Sequence, residues 1–279
     1  SAQVYRGMDI GTAKPDLAER AGVPHHLIDI CEPTEAYSAA RFVVDARSLI
    51  AEIHARGHLP LLVGGTMLYY RALTQGLSAL PSADPALRAR ITALAQAQGW
   101  PALHAHLATL DVITARRLHP NDGQRIQRAL EVIETSGRAL SELHGLTETM
   151  DEAQYGFLKL ALMPPERADL HARIALRLRG MFERGFVEEV ERLRARGDLH
   201  LELPSMRAVG YRQIWLHLEG QTTRVEAEAQ ALAATRQFAK RQITWLRSEH
   251  DLCWLNSEAS DAVDLALRQI DEWTPKSPC

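Results

Sequence analysis

Apolar residues in the first part of the chain recur with two different periods. From 38 to 56, Phe42, Val43, Ala46, Leu49, Ile50 and Ile53 share one helical face, and Gly57 supplies a stop. Residues 59–63 form a continuous apolar run that predicts a buried strand; it leads into Gly64-Gly65-Thr66 and a helix over 67–73. With the shorter apolar run at 26–30, which carries Asp29, the order becomes strand, helix, strand, tight glycine turn, helix. That order belongs to a parallel α/β sheet of doubly wound style.

At Pro81-Ser82-Ala83-Asp84-Pro85 the pattern changes. Alanine-rich helical periodicity follows over 86–98, 100–107, 112–118 and 124–135 with no strand between, which predicts an all-helical insertion. We expect the insertion to span 83–143 and the core to comprise 1–82 with 144–279. Alternation resumes with a strand at 157–163, helices at 168–183, 186–196 and 224–247, a strand at 252–255 and a closing helix at 261–272. No internal repeat or low-complexity segment interrupts this plan.

Composition narrows the picture only at its edges. With 279 residues the chain can bury a full core, and 46% hydrophobic with 24% charged residues sets it apart from disordered and collagen-like sequences. No run of about 18 apolar residues is present to cross a bilayer as a helix. Cys31, Cys253 and Cys279 are odd in number, far apart and without a C-x-x-C pair, so neither a disulfide framework nor a zinc knuckle is expected, and a reducing cytoplasm is. A formal net charge of −3 argues against indiscriminate coating of nucleic acid but leaves room for local basic stripes. The first residue is Ser1, with no initiator Met and no signal peptide, and the opening residues read as a specialised loop. An earlier stretch is therefore expected ahead of it.

Several groupings can carry chemistry, each beside a plainer structural reading. Gly64-Gly65-Thr66 lies where a strand hands over to a helix, a place that suits an anion but equally suits a glycine turn with a threonine cap. Arg173 and Arg177 are four apart on one predicted helix and suit a diphosphate clamp, although Glu166 and Asp169 nearby allow a solvated ionic face. Asn121-Asp122-Gly123 caps a helix whose Gln124, Arg125 and Arg128 lie opposite Ile126, Leu130 and Ile133, as in any amphipathic surface helix. Across 207–247, seven cations (Arg207, Arg212, Arg224, Arg236, Lys240, Arg241, Arg247) face three glutamates, a local charge of +4. Arg236, Lys240 and Arg247 fall within roughly 40° of one another on a helix, a stripe that suits a nucleic-acid backbone. The histidines lack H-E-x-x-H or any ligand spacing for zinc, and neither a G-x-S-x-G elbow nor a Walker G-x-x-x-x-G-K-[ST] loop is present.

Six strings in order carry a resemblance that covers essentially the whole chain: SAQVYRGMDIGTAKP at 1–15, HHLIDI at 25–30, PLLVGGTMLYYRAL at 60–73, HPNDGQRIQRALEV at 119–132, RAVGYRQ at 207–213 and ATRQFAKRQITWLR at 234–247. Together they resemble the bacterial tRNA dimethylallyltransferase family. The resemblance implies an α/β fold, a parallel sheet flanked by helices like that of P-loop nucleotide kinases, with the phosphate loop reused for diphosphate rather than ATP and an all-helical insertion for tRNA. It implies transfer of dimethylallyl from dimethylallyl diphosphate to the exocyclic amine of the adenosine just 3′ of the anticodon. The chemistry then demands stabilised leaving-group charge, removal of a proton and exclusion of water.

The family carries its general base in an Asp-Ser-x-Gln motif with a phosphate loop upstream. Only Ser1, Ala2 and Gln3 of that motif stand here, so its aspartate and loop are expected ahead of Ser1. By resemblance Ser1, Ala2 and Gln3 contact the target adenosine, Arg177 with Arg173 binds diphosphate, and Thr66 lies beside the tRNA, which makes Arg177 and Thr66 the catalytic candidates. Arg88 in the insertion is expected at the tRNA. So are Gln124, Arg125, Ile126, Gln127 and Arg128, and Arg207, Ala208, Val209, Gly210, Tyr211 and Arg212. The last matching segment is Lys240, Arg241, Gln242, Ile243, Thr244, Trp245, Leu246 and Arg247. Magnesium is expected from the family and from the charge of diphosphate, with no residue assigned to hold it; a cytoplasmic monomer is expected. An adenylate prenyltransferase, a P-loop small-molecule kinase and a silent RNA-binding protein are the competing readings. The insertion and the basic stripe favour a macromolecular acceptor over the first two.

Overall fold

In the computed structural model, which describes residues 1–78, 80–81, 84–143 and 155–273, several helix starts coincide with side chains that cap them. Helix α1 (Ala39–Ala55) begins where Ser38 accepts from the Arg41 amide, and α2 (Met67–Gln75) follows the glycine turn. Helix α3 (Pro85–Gln98) starts on Asp84, which accepts from the amides of Ala86 and Leu87 with Pro85 in the first turn. Helices α4 (Trp100–Leu110) and α5 (Val112–Arg117) meet at Asp111. Helix α6 (Gly123–Ser136) starts on Asp122 and stops at left-handed Gly137, and α7 (Leu140–Leu143) is a single turn. Strand β1 (Lys159–Met163) then leads to α8 (Arg167–Glu183), α9 (Phe186–Ala195) and α10 (Tyr211–Leu218). Helix α11 (Arg224–Leu246) opens with a Thr223–Glu226 capping box, and β2 (Leu252–Asn256) and α12 (Ala262–Glu272) close the order.

The chain divides into two compact units, Ser1–Arg71 with Ala153–Cys279, and Ala72–Glu152. In the first, β1 and β2 pair in parallel, Lys159 opposite Leu252 through Met163 opposite Asn256, so both strands end on the same side. Helices α8 to α11 pack in succession, and their core gathers Met8, Cys31, Phe186, Val190, Met206, Tyr211 and Ile214. In the second unit α3 to α7 pack around Ile91, Leu107, Ile126, Ala129, Leu130 and Val132.

The α/β class with helices around a parallel sheet stands, but two expected strands do not form. Residues 59–63 run without a ladder partner among the described residues, and Leu59, Leu61 and Val63 are 52%, 73% and 84% exposed. A strand needs hydrogen bonds from a neighbour as well as apolar side chains, and here only the side chains are present. Residues 26–30 are broken by left-handed backbone at Leu27 and Asp29 (φ 60° and 55°), so all that forms is one parallel bridge between Tyr5 and Cys31. Helices α7 and α10 were not expected; α10 follows a loop rather than a visible apolar period. The boundaries expected at 82–83 and 144, and Cys279, lie outside the described residues.

Asp111 joins three helices of the smaller unit. Its carboxylate, 4% exposed, accepts from the Thr114 amide at 2.9 Å, the Thr114 hydroxyl at 2.6 Å and the Ser141 amide at 2.9 Å. Burial alone would raise its pKa, but these donors outweigh it and bring the group down to about 2. The folded-state value lies below the unfolded one, so the stabilisation is present above about pH 4 and fades as pH falls toward about 2, amounting to about 2 kcal/mol. Asp111→Asn should therefore lose about 2 kcal/mol in urea unfolding near neutral pH, with the gap to the parent closing by about pH 2. A gap that is absent, or constant across that range, contradicts the assignment.

Candidate functional site

Three segments predicted to matter converge in the larger unit. The opening turn, Ala2–Val4, presents Ser1 and Gln3; the Thr66 hydroxyl donates to Ser1 Oγ at 2.9 Å, and the Gln3 side-chain amide donates to the Thr12 and Ala13 carbonyls at 3.2 and 2.9 Å. From α11 the Gln242 amide donates to the Gly65 carbonyl at 2.8 Å. A Cβ on Gly65 would lie 2.0 Å from that amide nitrogen, so the glycine lets α11 close on the turn. Thr66 is thus fixed between the opening turn and the start of α2.

The loop that holds Gln3 is itself pinned from below. Glu189 on α9, 2% exposed, accepts from the amides of Asp9, Ile10 and Gly11 at 3.0, 2.7 and 3.2 Å and from the Tyr211 hydroxyl at 2.6 Å. Tyr211 is fully buried, and burial together with the Glu189 charge pushes its phenol far above the ordinary range, so the proton stays on tyrosine. Gly11 packs so tightly that a Cβ would meet the Phe186 ring at 2.1 Å and Tyr211 at 2.6 Å. Lys14, its side chain 4% exposed, bridges Asp9 at 2.6 Å and Asp29 at 2.5 Å and donates to the Tyr5 carbonyl at 2.9 Å. Neither Glu189 nor Lys14 was expected from the sequence. The signal for Glu189 was its place among Phe186, Val190 and Leu193 on the apolar face of α9.

Arg173 and Arg177 lie exposed on α8, and neither forms an ion pair among the described residues; Arg173 Nη1 donates to Ser257 Oγ at 3.1 Å, just past β2. Near the ends of both strands a cavity of about 450 Å³ opens between α8 and α11, lined by Arg167, His171, Lys240, Arg247 and Asn256 among others. Ligand sites of parallel α/β sheets lie at this end. Arg167 Nε donates to His171 Nε2 at 3.4 Å, and burial, then the charges of Arg236 and Arg167, hold the imidazole below its usual range. Lys240, Arg241, Thr244 and Arg247 are exposed along α11, whereas Gln242, Ile243, Trp245 and Leu246 are half-buried. The stripe is exposed only in part, since Arg236 is half-buried, its Nε without a hydrogen-bond partner among the described residues.

Elsewhere the predicted residues divide by burial. Arg207 and Arg212 are exposed, Arg207 pairing with Glu202 at 2.5 Å; Ala208 and Val209 are half-buried. Gly210 is buried with its amide held by Gln213, and the Tyr211 side chain belongs to the core, so neither of these two presents a side chain outward. In the smaller unit Arg125 is exposed and Gln124, Gln127 and Arg128 are half-buried or more open, while Ile126 is fully buried in the core and Arg88 pairs with Glu131. Among the described residues no three His, Cys, Asp or Glu side chains gather as a metal site, and no helix is long and apolar enough to cross a membrane.

Comparison with known proteins identifies relatives in sequence and in fold. The family model described as IPP transferase matches residues 3–249. A tRNA dimethylallyltransferase of Burkholderia thailandensis is 57% identical over 282 aligned positions, covering 99% of this chain and 87% of that protein. The full-length tRNA isopentenylpyrophosphate transferase of Bacillus halodurans superposes with a TM-score of 0.67 at 36% identity, covering 97% of this chain and 86% of that one. A eukaryotic dimethylallyltransferase acting on tRNA gives a TM-score of 0.75 at 25% identity, over 97% and 69% of the two chains. The chain shares the α/β fold of these structures.

The pinned loop yields a stability prediction. Glu189→Gln turns one buried acceptor into a donor facing donors and should cost about 3 kcal/mol, with faster amide exchange at Asp9, Ile10 and Gly11. Chemical denaturation and hydrogen exchange measure both. Parent-like stability with parent-like protection of those amides would show that the carboxylate does not anchor the loop.

Proposed function

The chain belongs to the IPP transferase family, and from that premise we propose that it transfers the dimethylallyl group of dimethylallyl diphosphate to the exocyclic amine of the adenosine 3′-adjacent to the anticodon of tRNA. The family match over residues 3–249 carries the reading. The amine nitrogen forms a bond to the allylic carbon as the carbon–oxygen bond to diphosphate breaks; its electrons leave with diphosphate, and the amine gives up a proton. The protein must therefore stabilise an anion that gains charge and hold an adenine in line with the donor.

Residue roles follow from chemistry and exposure. Arg177, exposed and without an ion-pair partner among the described residues, is the residue we assign to the departing diphosphate, with Arg173 one turn away. Thr66, hydrogen-bonded to Ser1, and Gln3 two residues further along the same turn are the polar groups we assign to orienting the adenine. Exposed Lys240, Arg241 and Arg247 on α11 and Arg207 and Arg212 near α10 serve the RNA backbone, as do Arg88, Arg125 and Arg128 in the helical unit. The acceptor base must leave its stack, at a cost of a few kcal/mol that contacts to flanking nucleotides offset. Magnesium stays an expectation from the charge of diphosphate; no carboxylate cage for it is present among the described residues, so no step is assigned to it. A cytoplasmic monomer acting on free tRNA completes the proposal.

Turnover with labelled dimethylallyl diphosphate and tRNA tests the activity, with ATP as alternative donor and adenylate as alternative acceptor. Arg177→Ala should lower kcat roughly 10²-fold with a smaller effect on tRNA affinity. Lys240→Gln should do the reverse, raising the tRNA KM and lowering the salt slope of binding by roughly 0.7–0.9. The opposite ordering in filter binding and turnover would overturn the division of roles.

A further inference from the structure

Two of the arginines in the helical unit do not stand independently. Arg88 on α3 and Arg128 on α6 converge on one oxygen of Glu131: Arg88 Nη2 and Arg128 Nη1 each donate to Glu131 Oε2 at 3.0 Å. Glu131 is 0% exposed, while the two arginine side chains are 47% and 32% exposed. Arg128 Nη2 also donates to the Pro81 carbonyl at 2.8 Å. The backbone under the pair is tied as well, since the Gln127 amide donates to the Arg88 carbonyl at 3.1 Å and to Thr92 Oγ1 at 2.7 Å. Glu131 Oε1 is buried with no hydrogen-bond partner among the described residues.

Two guanidinium groups this close repel each other unless an anion lies between them, and a long flexible side chain must give up rotamer freedom before it can offer a fork of donors. The shared oxygen supplies both conditions from beneath. It leaves the three side chains with a net charge of +1 and both guanidinium-bearing side chains partly open to solvent. We propose that Glu131 is a positioning residue that locks Arg88 and Arg128 into one preorganised clamp for phosphates of the tRNA backbone. The inference rests on the reading that this face meets tRNA.

A carboxylate on a phosphate-binding face makes two ideas separable by sign. If only charge mattered, Glu131→Gln would raise the cluster from +1 to +2 and tighten RNA binding. If the carboxylate positions the arginines, the same change weakens binding.

The experiment measures fluorescence anisotropy with an unmodified tRNA transcript across a salt series, using the full chain, beside steady-state turnover. Glu131→Gln is expected to bind roughly 10-fold more weakly, with a salt slope lowered by about 1 and the loss falling on the tRNA KM rather than on kcat. R88K/R128K keeps both charges and the buried glutamate, so it stays informative should Glu131→Gln impair folding; it is expected to weaken binding because an ammonium cannot reproduce the fork. Arg88→Ala with Arg128→Ala tests the underlying reading. If that double variant binds like the parent, this face does not meet tRNA and the inference falls with it. If the double variant is weakened while Glu131→Gln or R88K/R128K binds as well as the parent or better, the face stands and the positioning role alone is overturned.

Discussion

The larger unit is organised around a buried carboxylate, that of Glu189. An isolated buried carboxylate is costly, and Glu189 is tolerable only because four donors surround its two oxygens: three successive amides of the opening loop and the Tyr211 hydroxyl. The dependence also runs the other way. Three adjacent amides point inward only if the loop curls around the carboxylate, and the curl requires Gly11, since any side chain there meets Phe186 and Tyr211. Once curled, the loop offers the Thr12 and Ala13 carbonyls to Gln3, and Gln3 sits in the same turn as Ser1, which accepts from Thr66. A buried acid on α9 therefore fixes polar groups that α9 does not itself touch.

The same device recurs in the helical unit. Asp111 gathers donors from α5 and α7, and Glu131 gathers guanidinium groups from α3 and α6. In each case the acid is buried and one of its donors comes from an element distant in sequence, Ser141 for Asp111 and Arg88 for Glu131. Apolar packing alone is tolerant of slippage, because one methyl contact replaces another at little cost. A buried acid is not tolerant, because a misplaced donor leaves a charge uncompensated. Core packing brings the helices together, and the acids set their register.

That division explains what could be read from the chain. Helices with periodic apolar faces and capping residues, such as α1, α3 and α6, begin within a residue or two of where pattern and caps put them. The strand at 159–163 and its partner at 252–256 were legible because each is short, apolar and bounded by loops. The run at 59–63 looks the same in sequence, and its failure to pair among the described residues reflects that pairing belongs to the neighbour as much as to the strand. Residues 26–30 mislead for a local reason: left-handed Leu27 and Asp29 are conformations that composition does not announce. At the site, exposed cations could be found by counting charge, whereas Tyr211 and Ile126 lie in motif segments yet face the cores. Glu189 and Glu131 were missed because a glutamate in a helix ordinarily signals solvent. The legible clue was position, since each interrupts an apolar face rather than a polar one.

A chain of net charge −3 that handles a polyanion cannot rely on a long-range attractive field. At physiological salt, exposed charges are screened beyond about 8 Å, so what matters is which cations lie free at the surface and how rigidly they are held. Here the carboxylates are disposed to keep that surface open: Asp111, Glu131 and Glu189 are buried, while exposed Lys240, Arg241, Arg247 and Arg177 form no ion pair among the described residues. Donors held in place, as Arg88 and Arg128 are on the Glu131 carboxylate, favour a ligand whose phosphates are already arranged in space over an extended strand that must be ordered on contact. A folded RNA loop meets that requirement better than a flexible single strand does, so a modest overall charge is compatible with an acceptor that is structured RNA.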